Sequence, residues 1–212
     1  MSRFTIQKHM SKIAVDVVLL PSNEMAEAAV SENERLVRDF KSKIVLNRET
    51  CMPHISLAMG VLADEKKSKV EQILAEVVSR LSVMHLTAVA IYVSEGKEGF
   101  SGIVIENTSE IQNLHETVTK QLAPLLSFDA TSEMFVRSGE FEERTSIWAN
   151  AYHKKASFEK YWPHITTGYG SSFSKDTTLT FPLAFTAPTL ALCQMGSHCT
   201  CRRVLWSSEL RV

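Results

Sequence analysis

The chain has 212 residues, 44% of them hydrophobic, with 23 Lys and Arg against 24 Asp and Glu and a formal net charge of −1. This is enough length and apolar content for one sizeable core, or two small lobes sharing one, and it excludes a disordered tail. The balanced charge offers no global positive field of the kind that gathers long nucleic acid, which favours a small or short charged ligand.

The N-terminus sets a few basic residues before an apolar run, IAVDVVLL at 13–20, in the layout that opens a signal peptide. Asp16 interrupts that run, no small-residue cleavage site follows, and no stretch reaches membrane-spanning length, so the expectation is a cytoplasmic chain with no membrane partner. The same run, β-branched and ended by Pro21, suits a mostly buried strand. Over 22–41, Met25, Ala29, Leu36, Val37 and Phe40 fall at helical intervals. The clearest periodicity lies after Asp64, where Val70, Ile73, Leu74, Val77, Val78 and Leu81 mark an amphipathic helix. LTAVAIYVS and GIVIEN then read as strands. Ser109 and Gln112 form a capping-box pair ahead of a helix over 109–126. The polar stretch 127–160 is the least legible, with a short helix expected around 146–153. The tail (TLTFPLAF, PTLALCQM, CTCRRVLWSSEL) has strand composition broken at Pro188 and at the turn-like Gly196 and Ser197, so strands joined partly by a hairpin are expected.

Four cysteines, Cys51, Cys193, Cys199 and Cys201, are too few and too clustered for a disulfide framework and are expected to be reduced. Cys193, His198, Cys199 and Cys201 do not have the spacing of a zinc site, and no metal or cofactor is expected.

One phrase recurs. PHISLAMG at 53–60 returns as PHITTGYG at 163–170, with Pro, His, Ile and the final Gly repeated and Ser56 replaced by Thr166, so each histidine keeps a hydroxyl two residues on. In an extended strand, alternation puts His54, Ser56 and Ala58 on one face and Ile55, Leu57 and Met59 on the other; His164, Thr166 and Gly168 repeat the design. At roughly 6.6 Å along the strand, imidazole and hydroxyl can touch one tetrahedral phosphate. Two such strands about an approximate two-fold axis would bring two imidazoles to one cleft, as in-line attack at phosphorus requires: one side loses a proton while the other gains one. Histidine suits the work, because an unperturbed pKa of about 6.5 lets one copy be neutral and the other protonated near neutral pH. Each half of the chain offers strands, helices and one motif, so residues 1–212 are expected to form a single α+β domain of two similar lobes.

The paired Hx[ST] motifs and their apolar flanks resemble the 2H phosphoesterase superfamily, the bacterial 2′-5′ RNA ligase-like and cyclic phosphodiesterase-like proteins. The resemblance spans the chain in order of elements and is specific at the two motifs. It implies a bilobal, duplicated α+β fold with antiparallel sheets lining a central cleft and helices outside. It also implies metal-independent phosphodiesterase chemistry on a 2′,3′-cyclic phosphate or a 2′-5′-linked nucleotide or RNA end, reversible as ligation, in a monomer. Carried over by position, His54 and His164 would be acid and base, and Ser56 and Thr166 would bind phosphate. Which histidine plays which part, and which substrate is used, stay open.

Around the motifs, Tyr169 offers a base-stacking platform, although strict alternation turns it to the Ile165 face unless Gly168 bends the strand. Tyr161 and Trp162, just before the second motif, either rim the cleft and touch substrate or pack in the core. Lys97, Arg137, Arg202 and Arg203 are candidate phosphate partners that more simply read as surface charge, and His9, His85, His115, His153 and His198 read as structural or surface residues. A serine hydrolase would need G-x-S-x-G, which does not occur. A metal-dependent phosphodiesterase would need a His/Asp cluster where Hx[ST] gives one good ligand per strand. A non-catalytic nucleotide- or RNA-binding module would keep the scaffold without turnover.

Overall fold

A computed structural model describes residues 11–94, 99–137, 139–170 and 176–211. Its strands are β1 (Lys12–Leu20), β2 (Ile55–Ala63), β3 (Met84–Val93), β4 (Gly99–Ile105), β5 (Leu126–Ser127), β6 (His164–Gly170), β7 (Leu183–Ala187), β8 (Thr189–Met195) and β9 (Cys201–Glu209). The helices are α1 (Asn23–Phe40), α2 (Lys67–Val78), α3 (Ser109–Leu122) and α4 (Arg144–Lys155). The helix expected around 146–153 is α4. The cap of α3 differs from expectation: Thr108 is the N-cap and its side chain accepts from Ile111 N–H. Gln112 instead donates to Glu116 and to Phe158 O.

The α+β class holds, with one refinement: the strands form a single continuous sheet, in the order β7-β3-β4-β6-β2-β1-β8-β9 with β5 added to β2. Its two halves meet where the motif strands meet, through one antiparallel pairing of Ile55 with Ile165. Each of these isoleucines directly follows a motif histidine, so the seam of the sheet brings the two motifs side by side. The halves are not the two halves of the chain. Strands β1, β2, β8 and β9, from both ends, build one side, and β3, β4, β6 and β7 build the other.

The apolar faces of α1, α2 and α3 pack on one face of the sheet, where Met25, Val70, Leu74, Ile111 and Val118 meet Val15, Val17, Ile55, Ile103 and Ile165. Helix α4 lies on the opposite face, its Ala149 and Tyr152 packed with Ala14, Met59 and Val61. The motif face is thus left partly open, with α4 as one wall.

Strict alternation fails at one equivalent place in each motif. The β1–β2 register jumps between Val17–Ala58 and Val18–Ser56, leaving Leu57 as the extra residue, and the β4–β6 register jumps between Ser101–Gly168 and Gly102–Thr166, leaving Thr167. A bulge inserts one residue, bends its strand and reverses the facing of everything beyond it. It also takes one peptide out of the ladder, and a buried carbonyl needs another donor. For Leu57 that donor is His115 Nδ1 of α3, 2.7 Å from Leu57 O. For Thr167 it is Asn33 Nδ2 of α1, 2.7 Å from Thr167 O. Each bulged strand is therefore held from behind by a fully buried polar side chain on the helix that packs on it.

His115 completes its role at the other ring nitrogen, where Nε2 accepts from Phe158 N–H at 2.9 Å. Two fixed partners of opposite type define a neutral Nδ1–H tautomer, and burial holds its pKa below the usual histidine value. Asn33 also donates to Ile44 O and accepts from Leu46 N–H. We expect His115→Leu and Asn33→Leu each to lower the urea midpoint, with a loss of unfolding free energy of about 1–3 kcal/mol for each group left unpaired. An unchanged midpoint in either variant would contradict the bulge-anchoring role.

The cysteine expectation needs correction. Cys193 on β8 and Cys201 on β9 are joined as a disulfide, with Cα atoms 5.7 Å apart, while Cys51 and Cys199 are free and buried. The β8–β9 hairpin places the two side chains within bridging reach, a proximity that spacing in sequence does not reveal.

Candidate functional site

The motif face forms a cleft with a cavity volume of about 220 Å³, lined by His54, Ser56, His164 and Thr166 together. All four residues singled out by the repeat thus share one opening, and each motif repeats the same burial: histidine and hydroxyl residue partly exposed, the intervening isoleucine and the bulge residue buried.

Both histidines are oriented in the same way. His54 Nδ1 lies 2.8 Å from Met52 O, and His164 Nδ1 lies 2.9 Å from Trp162 O, in each case the carbonyl two residues earlier. A carbonyl can only accept, so each Nδ1 carries the proton and each Nε2 is left with a lone pair for the cleft. The chain folds locally so that proton transfer falls to Nε2 on both sides.

The two rings differ in surroundings. His54 has a side chain only 11% exposed, with Nε2 3.8 Å from Asp16 Oδ2. Burial, opposed by the Met52 bond and aided by the nearby His164, lowers its pKa to about 4. His164 lies in an aromatic wall, 4.8 Å from Trp162 and 5.5 Å from Phe100 by ring centroids, and burial lowers its pKa as well. Both shifts favour the neutral imidazole at neutral pH in the ligand-free protein, whereas an unperturbed pKa of about 6.5 would allow one of each form. The sequence carries no sign of how deeply the rings sit.

The hydroxyls differ too. The Thr166 hydroxyl makes no hydrogen bond among the described residues and is available to a ligand. Ser56 Oγ is bonded to Asp16 Oδ2 at 2.6 Å.

Because of the bulges, Tyr169 and Met59 line the cleft instead of the core behind it. The re-aiming comes from the bulge at Thr167, whereas the sequence reading has Tyr169 reach the cleft only if Gly168 bends the strand. Ala58 moves the other way, into the core under the helices, and so leaves the face that strict alternation would have it share with His54 and Ser56. For Tyr161 the packing alternative applies and the substrate-binding one does not: it is 6% exposed, stacks on His115 at 3.9 Å and donates its hydroxyl to Ser56 O at 3.2 Å. It supports the motif strand from behind, away from the cleft, while its neighbour Trp162 forms the rim.

His198, assigned to structure or surface by the sequence reading, lines the cleft against Tyr169, with ring centroids 4.8 Å apart. The cations at the opening are Lys155 and Lys160. Of the basic candidates, Arg202 donates to Thr200 Oγ1 and Thr50 O, Arg137 and Arg203 do not line the cleft, and Lys97 lies outside the described residues. A zinc set of Cys193, His198, Cys199 and Cys201 is not formed, since two of its members are bonded to each other. No helix among the described residues is long and apolar enough to cross a membrane.

Solved structures share this architecture. TT0787 of Thermus thermophilus superposes with a TM-score of 0.61 at 15% identity, covering 94% of this chain and 98% of its own. E. coli LigT complexed with 3′-AMP gives a TM-score of 0.58 at 13% identity, covering 94% of this chain and 99% of LigT. The chain has the LigT fold. LigT complexed with ATP aligns as well, with a TM-score of 0.52 at 14% identity over 95% of this chain and 100% of LigT. At these identities the likeness to LigT is one of fold. No protein-family model matches the sequence, and no curated protein matches it significantly.

Proposed function

We propose that the chain is a 2H-type phosphodiesterase, acting as one domain of two pseudo-symmetric lobes without a metal. Its substrate would be a 2′,3′-cyclic phosphate or a 2′-5′-linked nucleotide or RNA end. One observation carries this reading: two imidazoles, each tied at Nδ1 to its own backbone, offer Nε2 to one cleft with a hydroxyl beside each. The neutral Nε2 on one side takes the proton of water or a hydroxyl as its oxygen attacks phosphorus. The protonated Nε2 on the other side gives its proton to the ribose oxygen as the P–O bond breaks. Thr166 and Ser56 donate to the non-bridging oxygens, where charge develops. The aromatic wall of Trp162 and Phe100, with Tyr92 packed edge-on against Trp162, suits a stacked base. The fold shared with LigT, a protein solved with 3′-AMP and with ATP, supports a small nucleotide as ligand.

The pH dependence follows from burial. Productive free protein has one histidine neutral and one protonated, and both pKa values lie below 6.5, that of His54 at about 4. The product of the two required forms therefore peaks on the acid side of 6.5. An anionic substrate favours the imidazolium and moves the kcat profile to higher pH than that of kcat/KM. The test is a panel of 2′,3′-cyclic nucleotides, 2′-5′ and 3′-5′ oligonucleotides and ADP-ribose cyclic phosphate in EDTA, with products identified by mass. We expect turnover of a ribose 2′-oxygen diester with an acid-side bell in kcat/KM. Binding without turnover would make the protein a module on this scaffold, and turnover abolished by the chelator would assign the chemistry to a metal.

A further inference from the structure

Asp16 stands in the middle of β1, paired with Met59 on β2 and Cys193 on β8, and is wholly buried. Its Oδ2 touches Ser56 Oγ at 2.6 Å, and its Oδ1 is buried with no hydrogen-bond partner. The titratable groups that feel it are His54 before β2, Tyr152 of α4, Tyr161 before β6 and Cys199 after β8. Among the described residues none of its ion-pair partners is a Lys or Arg, and the one group within ion-pair distance is His54, itself held neutral by burial. A buried carboxylate without a cation is costly, and such a group keeps its proton instead. Burial raises the Asp16 pKa well above the ordinary aspartate value, against smaller opposite pulls from Ser56 and from the Ala58 backbone, which favour the carboxylate.

A protonated carboxyl needs an acceptor, and Ser56 Oγ is the one at hydrogen-bond distance. The direction of that bond decides what Ser56 can do. If Asp16 is ionised, Ser56 spends its only hydrogen on the carboxylate and turns lone pairs to the cleft, where they repel a phosphate oxygen. If Asp16 holds the proton, it donates to Ser56 Oγ, and the serine hydrogen is free for the ligand. Thr166, with no such partner, is free to donate in either case.

We propose that Asp16 is a proton-bearing positioning residue: as the neutral acid it donates to Ser56 Oγ and so turns the Ser56 hydroxyl hydrogen toward a bound phosphate oxygen. As the carboxylate it withdraws that hydrogen. This inference rests on the phosphate site proposed above and adds a third ionisation to it, one that weakens phosphate binding as pH rises through the Asp16 pKa.

The test is the affinity for inorganic phosphate against pH, by calorimetry, for wild type, Asp16→Asn and Asp16→Ala, each alone and with Ser56→Ala. Thermal unfolding confirms that the variants are folded. The Asn carboxamide donates to Ser56 Oγ at every pH. We therefore expect Asp16→Asn to bind phosphate within about threefold of wild type at acid pH and to lose the alkaline weakening that Asp16 contributes. Asp16→Ala leaves the serine hydroxyl unoriented but as free to donate as that of Thr166, so it should bind about 3- to 10-fold more weakly, less than the loss of a whole hydrogen bond to a charged group. With Ser56→Ala present, the identity of residue 16 should no longer matter. Weak binding by Asp16→Asn equal to that of Asp16→Ala would overturn the proposal and make the carboxylate, as partner of an imidazolium His54, the working form. Phosphate that fails to bind wild type at any pH would instead remove the phosphate site itself, and this inference with it.

Discussion

Replacing either His54 or His164 with Ala lowers kcat on the true substrate by about 10²- to 10⁴-fold, the usual worth of a positioned acid or base. The size follows from the geometry. With Nδ1 anchored to Met52 O or Trp162 O, each ring can act only through Nε2, and no other imidazole occupies the equivalent place in its motif. His198 lines the same cleft, but it sits beyond Tyr169 with Nδ1 3.3 Å from Ser197 Oγ and outside either motif. Both single variants should stay folded, since each ring makes one hydrogen bond to backbone at the edge of a cavity. The two losses should not add in the double variant, because neither proton transfer is useful without the other. A single variant that retains near-full activity would remove that histidine from the chemistry.

The repeat was legible because its residues are scarce and oriented: histidine, preceding proline and following hydroxyl are side-chain identities, and a seam between two β-strands brought them together. The periodic helices were legible for the same reason that they pack, through Val70, Leu74, Ile111 and Val118 on one face of the sheet. Leu57 and Thr167 hid the rest. Neither is the glycine that flags a bulge in sequence, so nothing marked the point at which alternation reverses and Tyr169 and Met59 turn to the cleft. The supports of those bulges, His115 and Asn33, lie far away in sequence on separate helices and show no pattern until the fold supplies their partners. Asp16 did leave a trace, as a single charge inside an eight-residue apolar run. One charge in a mostly buried strand does not reveal its partner, and the fold makes it a buried acid against a motif hydroxyl. The disulfide and the cleft lysines depended on a hairpin and a helix end whose positions composition does not fix.

Thr166→Val should lower kcat by about 10²-fold, near the lower end of what one oxyanion donor is worth, with stability close to wild type. Valine keeps the shape of threonine and its preference for a strand, and the lost hydroxyl leaves no protein group unpaired, because it has no hydrogen-bond partner among the described residues. The whole effect should therefore fall on the transition state, where charge gathers on the non-bridging oxygens. Kinetics separate this from simple binding: a donor that strengthens only as the reaction proceeds lowers kcat and kcat/KM together, whereas uniform binding raises KM alone. Ser56→Ala offers the internal contrast. It removes a comparable donor but also strips Asp16 of its hydrogen-bond partner in a site where Oδ1 already has none, so it should cost stability as well as rate. If Thr166→Val were to lose stability and leave kcat intact, the hydroxyl would belong to the fold, and the symmetry between the motifs would end at the histidines.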